Sequence, residues 1–342
     1  MPTKAIFEKK NVLVTGGAGF IGSHLCDELI KTCKVICIDN YISGEEENID
    51  HLLQNVDFEF IKHDINESLD LESLAELEKF RIKFQGVQEI YHLACPTSPK
   101  DFEQTKIDTV LTNSLGTKNI LDLAVKYNAK FLLTSSAVVY GPRNPQNPFF
   151  SEDYIGFVDQ ISPRACYDEG KRFAETLVST YRDMYNLDAK IARVFRTYGP
   201  RMKLRSGQMI PDFVYHALEN KDLIVYGDAN FSSSFCHVND IVNGLIKMMK
   251  SKEFGPINLG SDLDVKIADI AKNIIKITES KAKVVFEKPL LFMTPLGLPD
   301  ISQAKEKLGW FPIVLIEEGI SGAIDYFRAH KSVLRPSNRK FD

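Results

Sequence analysis

Short apolar runs alternate with stretches of helical periodicity along the first part of the chain. Residues 11–15 (NVLVT), 34–39 (KVICID), 58–62 (FEFIK), 89–93 (EIYHL) and 130–135 (KFLLTS) are dense in Val, Ile, Leu and Phe and are bounded by Gly, Asp, Asn or Pro. Runs this short and this apolar fit strands covered on both faces of a parallel sheet. The stretches between them, such as 23–31 and 105–127, space their apolar residues along one face of a helix. Alternation of this kind builds an α/β fold of the Rossmann type, a doubly wound parallel sheet. Residues 190–195 (KIARVF) add a further strand to it.

Past Gly199 the rhythm changes. Pro200, Pro211, Pro256, Pro289, Pro295, Pro299 and Pro312 divide the chain into shorter elements. The pattern predicts a sheet domain over 1–199. Over 200–342 it predicts a smaller, partly interleaved lobe, some segments of which return to the sheet domain. No flexible linker, internal repeat or low-complexity tract marks the boundary. Residues 66–84 form a charged insertion between strands, and are expected to make a solvated surface helix.

Charge and cysteine usage narrow the setting. With 46 acidic against 42 basic residues the net charge is −4, and no long basic stripe appears, so a nucleic-acid partner is not expected. No apolar run approaches the roughly 18 residues that suggest a membrane span. Cys26, Cys33, Cys37, Cys95, Cys166 and Cys236 are scattered without metal or disulfide spacing. No metal site is expected, and with no signal peptide at the start the simplest reading is reduced thiols in the cytoplasm.

The first strand runs into Gly16-Gly17-Ala18-Gly19-Phe20-Ile21-Gly22, which opens the first helix. Gly16 permits a tight turn, Gly19 lets the backbone approach a pyrophosphate, and Gly22 allows close packing of helix on strand. The helix start then offers free N–H groups and a partial positive charge to the phosphates. Asp39 ends the second strand, where a carboxylate can accept from the hydroxyls of an adenosine ribose. From residue 40 to 63 the one Lys or Arg is Lys62, so nothing greets a 2′-phosphate, and the expected cofactor is NAD rather than NADP. Asp64, after the third strand, is either an adenine contact or a loop-capping carboxylate. Leu93 and Ala94, at the end of the fourth strand, line the cofactor pocket by backbone contact, with Phe20, Ile21, Asn40 and Ile65 completing the expected set. Cys95 reads as a small apolar filler.

Tyr167 and Lys171 stand four residues apart in a segment that reads as a helix to about Asn186, which puts both on one face. A nearby ammonium and a nicotinamide cation are expected to lower the phenol pKa and make a tyrosinate base available. Ser136, just past the fifth strand, is placed to hydrogen-bond the same substrate hydroxyl.

The glycine loop, the Ser136/Tyr167/Lys171 set and Tyr198-Gly199-Pro200 resemble an extended short-chain dehydrogenase/reductase of the nucleotide-sugar epimerase/dehydratase family. Within it, the blocks from His92 to Pro99, Cys166 to Arg172, Ala192 to Phe195, Tyr198 to Met202, Tyr226 to Asp228, Gly255 to Gly260 and Pro299 to Ile301 are most similar to the UDP-glucuronate decarboxylase branch. The resemblance implies bound NAD, oxidation of the sugar at C4, chemistry at the 4-keto stage and return of the hydride. It also implies a UDP-sugar substrate and a homodimer in which helices 105–127 and 167–186 pair with their copies, through positions such as Ile107, Val110, Leu111, Phe173, Leu177 and Tyr181.

Departures from that pattern keep other activities open. Ala137 and Val138 stand where the decarboxylases carry Ser-Glu and the dehydratases Asp-Glu, so 4,6-dehydration lacks its acid/base pair. The segment is closer to that of 4-epimerases, which need only the Ser, Tyr and Lys. Ser233 and Gly297–Leu298 stand where diphosphate-binding Arg residues are expected, whereas Arg196 replaces an Asn. Its guanidinium could take a phosphate bidentately. Pro96, Ser136, Arg196, Thr197 and Arg201 are the candidate substrate contacts, with Lys203 and Arg205 as further cations. Outside enzymes, an NAD-holding sensor or scaffold fits the lost Glu and Arg residues.

Overall fold

The computed structural model describes residues 9–97, 102–144, 146, 148–204, 206–288 and 295–330; Pro99, Arg205 and Pro289 lie outside them. Seven strands make one parallel sheet: β1 (Asn11–Thr15), β2 (Lys34–Asp39), β3 (Phe58–Lys62), β4 (Glu89–His92), β5 (Lys130–Ser136), β6 (Ala189–Val194) and β7 (Ile257–Leu259). Their order is β7-β6-β5-β4-β1-β2-β3. β1 lies between β2 and β4, so the chain winds one way from β1 to β3 and the other way from β4 onward. A crevice opens outside the carboxyl ends of the strands where that reversal falls. β1 and β2 are buried almost end to end, as strands covered by helices on both faces require.

The helices depart from the spacing in two instructive places. The first runs Phe20–Leu29, earlier than its apolar spacing suggests, because its opening turn is the glycine loop itself. The segment 105–127, which reads as one helix, is Phe102–Leu111, a π turn at Thr112–Gly116, and Thr117–Tyr127. Within the wide turn Thr117 Oγ1 donates to the Thr112 carbonyl at 3.1 Å, and Asn113 Nδ2 donates to the Thr109 carbonyl at 2.8 Å.

The insertion 66–84 is not a solvated helix. It contains a 3-10 turn, Ala75–Phe80, and one α-helical turn, Ile82–Gln85, joined at Arg81 in the left-handed region. Leu71, Leu77, Phe80 and Ile82 are buried in the same cluster as Leu13, Ile36 and Ile90. Asn11 Nδ2 donates to the Phe80 and Gly86 carbonyls at 2.9 and 2.8 Å, pinning the insertion to β1. Its apolar residues follow no single period, so their shared burial is not visible in the pattern.

The second half of the chain both adds to the sheet and leaves it. β7 closes one edge, and the helix Val238–Lys250 packs in the sheet's own core cluster together with Trp310, whose Nε1 donates to the Asp240 carbonyl at 2.9 Å. A separate cluster holds Phe213, Val214, Leu223, Val225, Ile270, Ile274, Ile320 and Phe327, around the parallel pair Leu223–Tyr226 with Val284–Glu287. Among the described residues no helix is long and apolar enough to cross a membrane.

Because Phe80 is fully buried yet sits in a charged insertion, Phe80→Ala should cost about 3–5 kcal/mol, the usual range for emptying a buried aromatic site. Urea unfolding followed by circular dichroism measures it. A surface residue would lose less than about 0.5 kcal/mol.

Candidate active site

The crevice between the sheet's carboxyl ends and the second core is a cavity of about 740 Å³. Its cofactor end is built by the glycine loop. Gly16 adopts a left-handed φ of 71°, and a Cβ there would come within 2.7 Å of Ala94 N. A Cβ on Gly22 would overlap the Gly16 carbonyl oxygen, so only glycine lets the helix start so close to β1. Gly19 caps that helix in extended conformation, with no side-chain cap and no acidic residue in the first turn. The first N–H groups therefore face an anion site without an internal competitor.

Asp39 is the carboxylate at the end of β2. Its Oδ2 accepts from Ala18 N at 3.0 Å and its Oδ1 from Tyr41 N at 2.9 Å. A carboxylate has about four acceptor positions, so others remain for a ligand's hydroxyls. Burial raises its pKa, and the three backbone hydrogen bonds to it work the other way. Lys62 lies with its ammonium 5.9 Å from the Tyr41 ring centre and does not line the cavity. Asp64 caps its loop and lines the cavity: Oδ1 accepts from Asn66 N at 2.9 Å and Oδ2 from Asn40 Nδ2 at 3.2 Å. Phe20, Ile21, Asn40, Ile65, Leu93 and Ala94 line it as well. Close backbone approach at Gly16 and Gly22, an unopposed helix start and an acceptor at the end of β2 suit a dinucleotide.

At the other end stand the three chemical residues. Ser136 ends β5 and lines the same cavity as Tyr167. Tyr167 and Lys171 sit on the helix Ala165–Tyr185, and both are buried. Lys171 Nζ donates to the Thr134 carbonyl at 3.0 Å, which ties the helix to β5. The expected lowering of the phenol pKa does not occur in the protein's own field. Burial pushes it well above the ordinary range; the Ser136 hydrogen bond and the Arg164 charge lower it by less.

Several site residues carry no obvious signal in the sequence. Thr15 Oγ1 and His92 Nδ1 are 2.7 Å apart, and His92 Nε2 is 3.1 Å from Thr117 Oγ1, a buried chain between β1, β4 and a helix. Burial, and then the Lys171 charge, lower the His92 pKa to about 3, so the ring is neutral. Glu175 follows Lys171 by the same four residues that separate Lys171 from Tyr167, and this spacing is the one clue to it. It accepts from Ser135 Oγ at 2.6 Å and from both Arg193 Nε and Nη2, at 2.9 and 2.7 Å. Arg193 also donates to the Tyr140 hydroxyl at 2.9 Å, which in turn donates to Asn258 on β7 at 2.8 Å.

The substrate candidates divide. Pro96, Ser136, Arg196 and Thr197 line the cavity. Arg201 lines it too, but its guanidinium is paired with Asp27 at 2.7 Å, and Lys203 faces Glu45 at 3.5 Å. Ser233 is buried in a strand pair with Val265, and Gly297 packs on the Phe150 ring; neither lines the cavity. Arg164, which the sequence does not single out, does line it. Val138 packs on Tyr167 with Cys95, Cys166 and Leu296 around them, so the wall beside the phenol is apolar.

A doubly wound sheet with a glycine-rich phosphate loop and a Ser/Tyr/Lys set facing one cavity defines a dinucleotide-dependent enzyme of the extended short-chain dehydrogenase/reductase class. The chain belongs to the NAD dependent epimerase/dehydratase family, which residues 12–260 match, and NAD is its cofactor. It is similar to UDP-glucuronic acid decarboxylase 1 of Xenopus tropicalis, 39% identical over 330 residues that cover 96% of this chain and 75% of the relative. UDP-glucuronic acid decarboxylase 6 of Arabidopsis thaliana is 39% identical over 326 residues, covering 94% and 90%. Among solved structures, the UDP-glucuronic acid 4-epimerase from Bacillus cereus in complex with NAD superposes with a TM-score of 0.78 at 30% identity, over 93% of this chain and 99% of that one.

Gly22→Ala forces the helix start away from β1. Titration with NADH, read by its fluorescence, should show affinity reduced at least about tenfold, which is 1.4 kcal/mol. Wild-type affinity in the variant would mean that this approach does not hold the cofactor.

Proposed function

We propose that the protein acts on UDP-glucuronate, oxidising the sugar at C4 and releasing carbon dioxide to give UDP-xylose. The observation that carries this reading is that Ser136, Tyr167 and Lys171 line one cavity together with the glycine loop. The similarity to decarboxylases over nearly the whole chain supports it. NAD, when bound, supplies the hydride acceptor and later the donor. Tyr167 takes the proton of the C4 hydroxyl, and Ser136 holds the same oxygen by hydrogen bond. Lys171, fixed by the Thr134 carbonyl, would also reach the nicotinamide ribose. Once C4 is a ketone, the C6 carboxylate is β to it. The bonding pair released with carbon dioxide passes toward the ketone oxygen, where Tyr167 and Ser136 can stabilise it. Protonation at C5 and return of the hydride to C4 complete the product.

We assign cofactor binding to Gly16, Gly19, Phe20, Ile21, Gly22, Asp39, Asn40, Asp64, Ile65, Leu93 and Ala94, and substrate contacts to Pro96, Arg196, Thr197 and Arg201. Residues 1–199 thus form the cofactor domain and also bring Pro96, Arg196 and Thr197 to the substrate, while the lobe over 200–342 adds Arg201. The six free cysteines suit a reducing, cytoplasmic setting.

A second reading, 4-epimerisation of the same class of substrate, is favoured by one observation: the wall beside Tyr167 is Val138, with no carboxylate at that point. An epimerase needs only removal of the hydride, rotation of the ketone and return. Incubation with UDP-glucuronate and NAD, with products identified by mass and NMR, separates the readings. Xylose supports decarboxylation, galacturonate supports epimerisation, and no turnover of any nucleotide sugar supports a sensor.

Tyr167→Phe keeps the ring's packing and removes the proton acceptor. Turnover should fall by roughly 10²–10⁴-fold with fold and NAD binding intact. Near-normal turnover would refute the assignment of the base.

We further propose a homodimer formed by the helices Phe102–Leu111 and Ala165–Tyr185 with their copies. Ile107, Val110, Leu111 and Phe173 are exposed apolar residues on them. Leu177 and Tyr181, expected on the same face, instead pack within the chain's own core. Light scattering at micromolar concentration should give twice the chain mass of 38.7 kDa; a single-chain mass would remove the proposal.

A further inference from the structure

Arg196 follows β6 by two residues, and the last residue of β6, Val194, is in register with Ser136 on β5. The guanidinium therefore enters the cavity near the reacting end. It lies over the Phe235 ring, 5.5 Å from its centre. Among the described residues it makes no hydrogen bond or ion pair. Burial, with the nearby Arg164 charge as the second cause, lowers its pKa to about 10. The group remains charged at neutral pH, at a cost, because two guanidinium groups repel each other in a partly desolvated space.

Arg164 comes immediately before the helix that carries Tyr167, and its side chain is largely buried. It pairs with Asp168 at 3.3 Å, and its charge is felt at the Tyr167 phenol. Arg164 and Arg196 thus bring two positive charges to the cavity wall. A guanidinium beside an aromatic ring, with no protein acceptor of its own, keeps its N–H groups available for a planar or tetrahedral oxyanion.

We propose that Arg196 and Arg164 together form the receptor for an oxyanion of the substrate, close to its C4 centre. The proposal rests on the reading that the cavity takes a nucleotide sugar, and it names what selects that ligand. The oxyanion is either the carboxylate of a uronate or the diphosphate, since both present oxygens that a guanidinium edge can match. An anion there answers the unpaired charge of Arg196 and relieves its repulsion with Arg164, so binding gains from a cost already present in the folded protein.

Calorimetric titration of NAD-loaded protein with UDP-glucuronate, UDP-glucose and UDP tests this without relying on turnover. Arg196→Gln should weaken binding at least tenfold, Arg196→Lys should recover part of the loss, and Arg164→Gln should act in the same direction. Loss confined to UDP-glucuronate identifies the carboxylate as the anion, and equal loss for all three identifies the diphosphate. NADH affinity should not change in Arg196→Gln; a parallel fall would mean collapse of the site and would overturn the proposal. Unchanged affinity for all three ligands overturns the arginine pair alone. Wild-type protein that binds none of them overturns the nucleotide-sugar reading and this proposal with it.

Discussion

The site depends on β1 and β4 lying side by side while their connections leave in opposite directions. Among the described residues a cavity opens outside their carboxyl ends, and the glycine loop after β1, the backbone of Leu93 and Ala94 after β4, and Ser136 at the end of β5 face it in common. The junction is held by a buried chain of three side chains, Thr15, His92 and Thr117. A neutral imidazole suits that place because it can donate at one nitrogen and accept at the other. A protonated ring would bring a charge into a fully buried position beside Lys171.

Much of this was legible because local chemistry and global fold coincide. A glycine that must pass a carbonyl, a carboxylate at a strand end and a Tyr and Lys one turn apart each have a local reason to be what they are. Hence the strand runs and the loop could be read from the chain with boundaries displaced by a residue or so. What could not be read depends on contacts between distant segments. Burial of Phe80 is decided by where the insertion meets the sheet, and Glu175 acquires its meaning when Arg193 arrives from β6. The raised phenol pKa belongs to the same group: spacing places an ammonium near Tyr167, but the burial that raises the phenol pKa is visible only in three dimensions.

Behind the reacting face, Glu175, Arg193, Tyr140 and Asn258 connect β5, β6, β7 and the helix of Tyr167 in one continuous set of polar contacts. Each member is largely buried, so removing one leaves a partner without an answer, and such losses cost about 3–5 kcal/mol for a charged pair. The reacting residues therefore rest on a polar backing, while the cavity wall carries two departures from the pattern this chain resembles, Val138 and Arg196. Differences in chemistry can accumulate on that wall with the backing intact.

The π turn at Thr112–Gly116 gives this helix one residue more than an α-helix of the same length would hold. It directs Asn113 toward Cys95, to whose sulfur Nδ2 donates at 3.1 Å, and toward Gly170, where even a Cβ would crowd that amide. Deleting a single residue here would let the helix return to regular winding and lose little of its own hydrogen bonding. The same deletion would rotate Asn113 away from Cys95 and Gly170. The extra residue thus serves the contacts of Asn113 with Cys95 and Gly170 rather than the winding of its own helix.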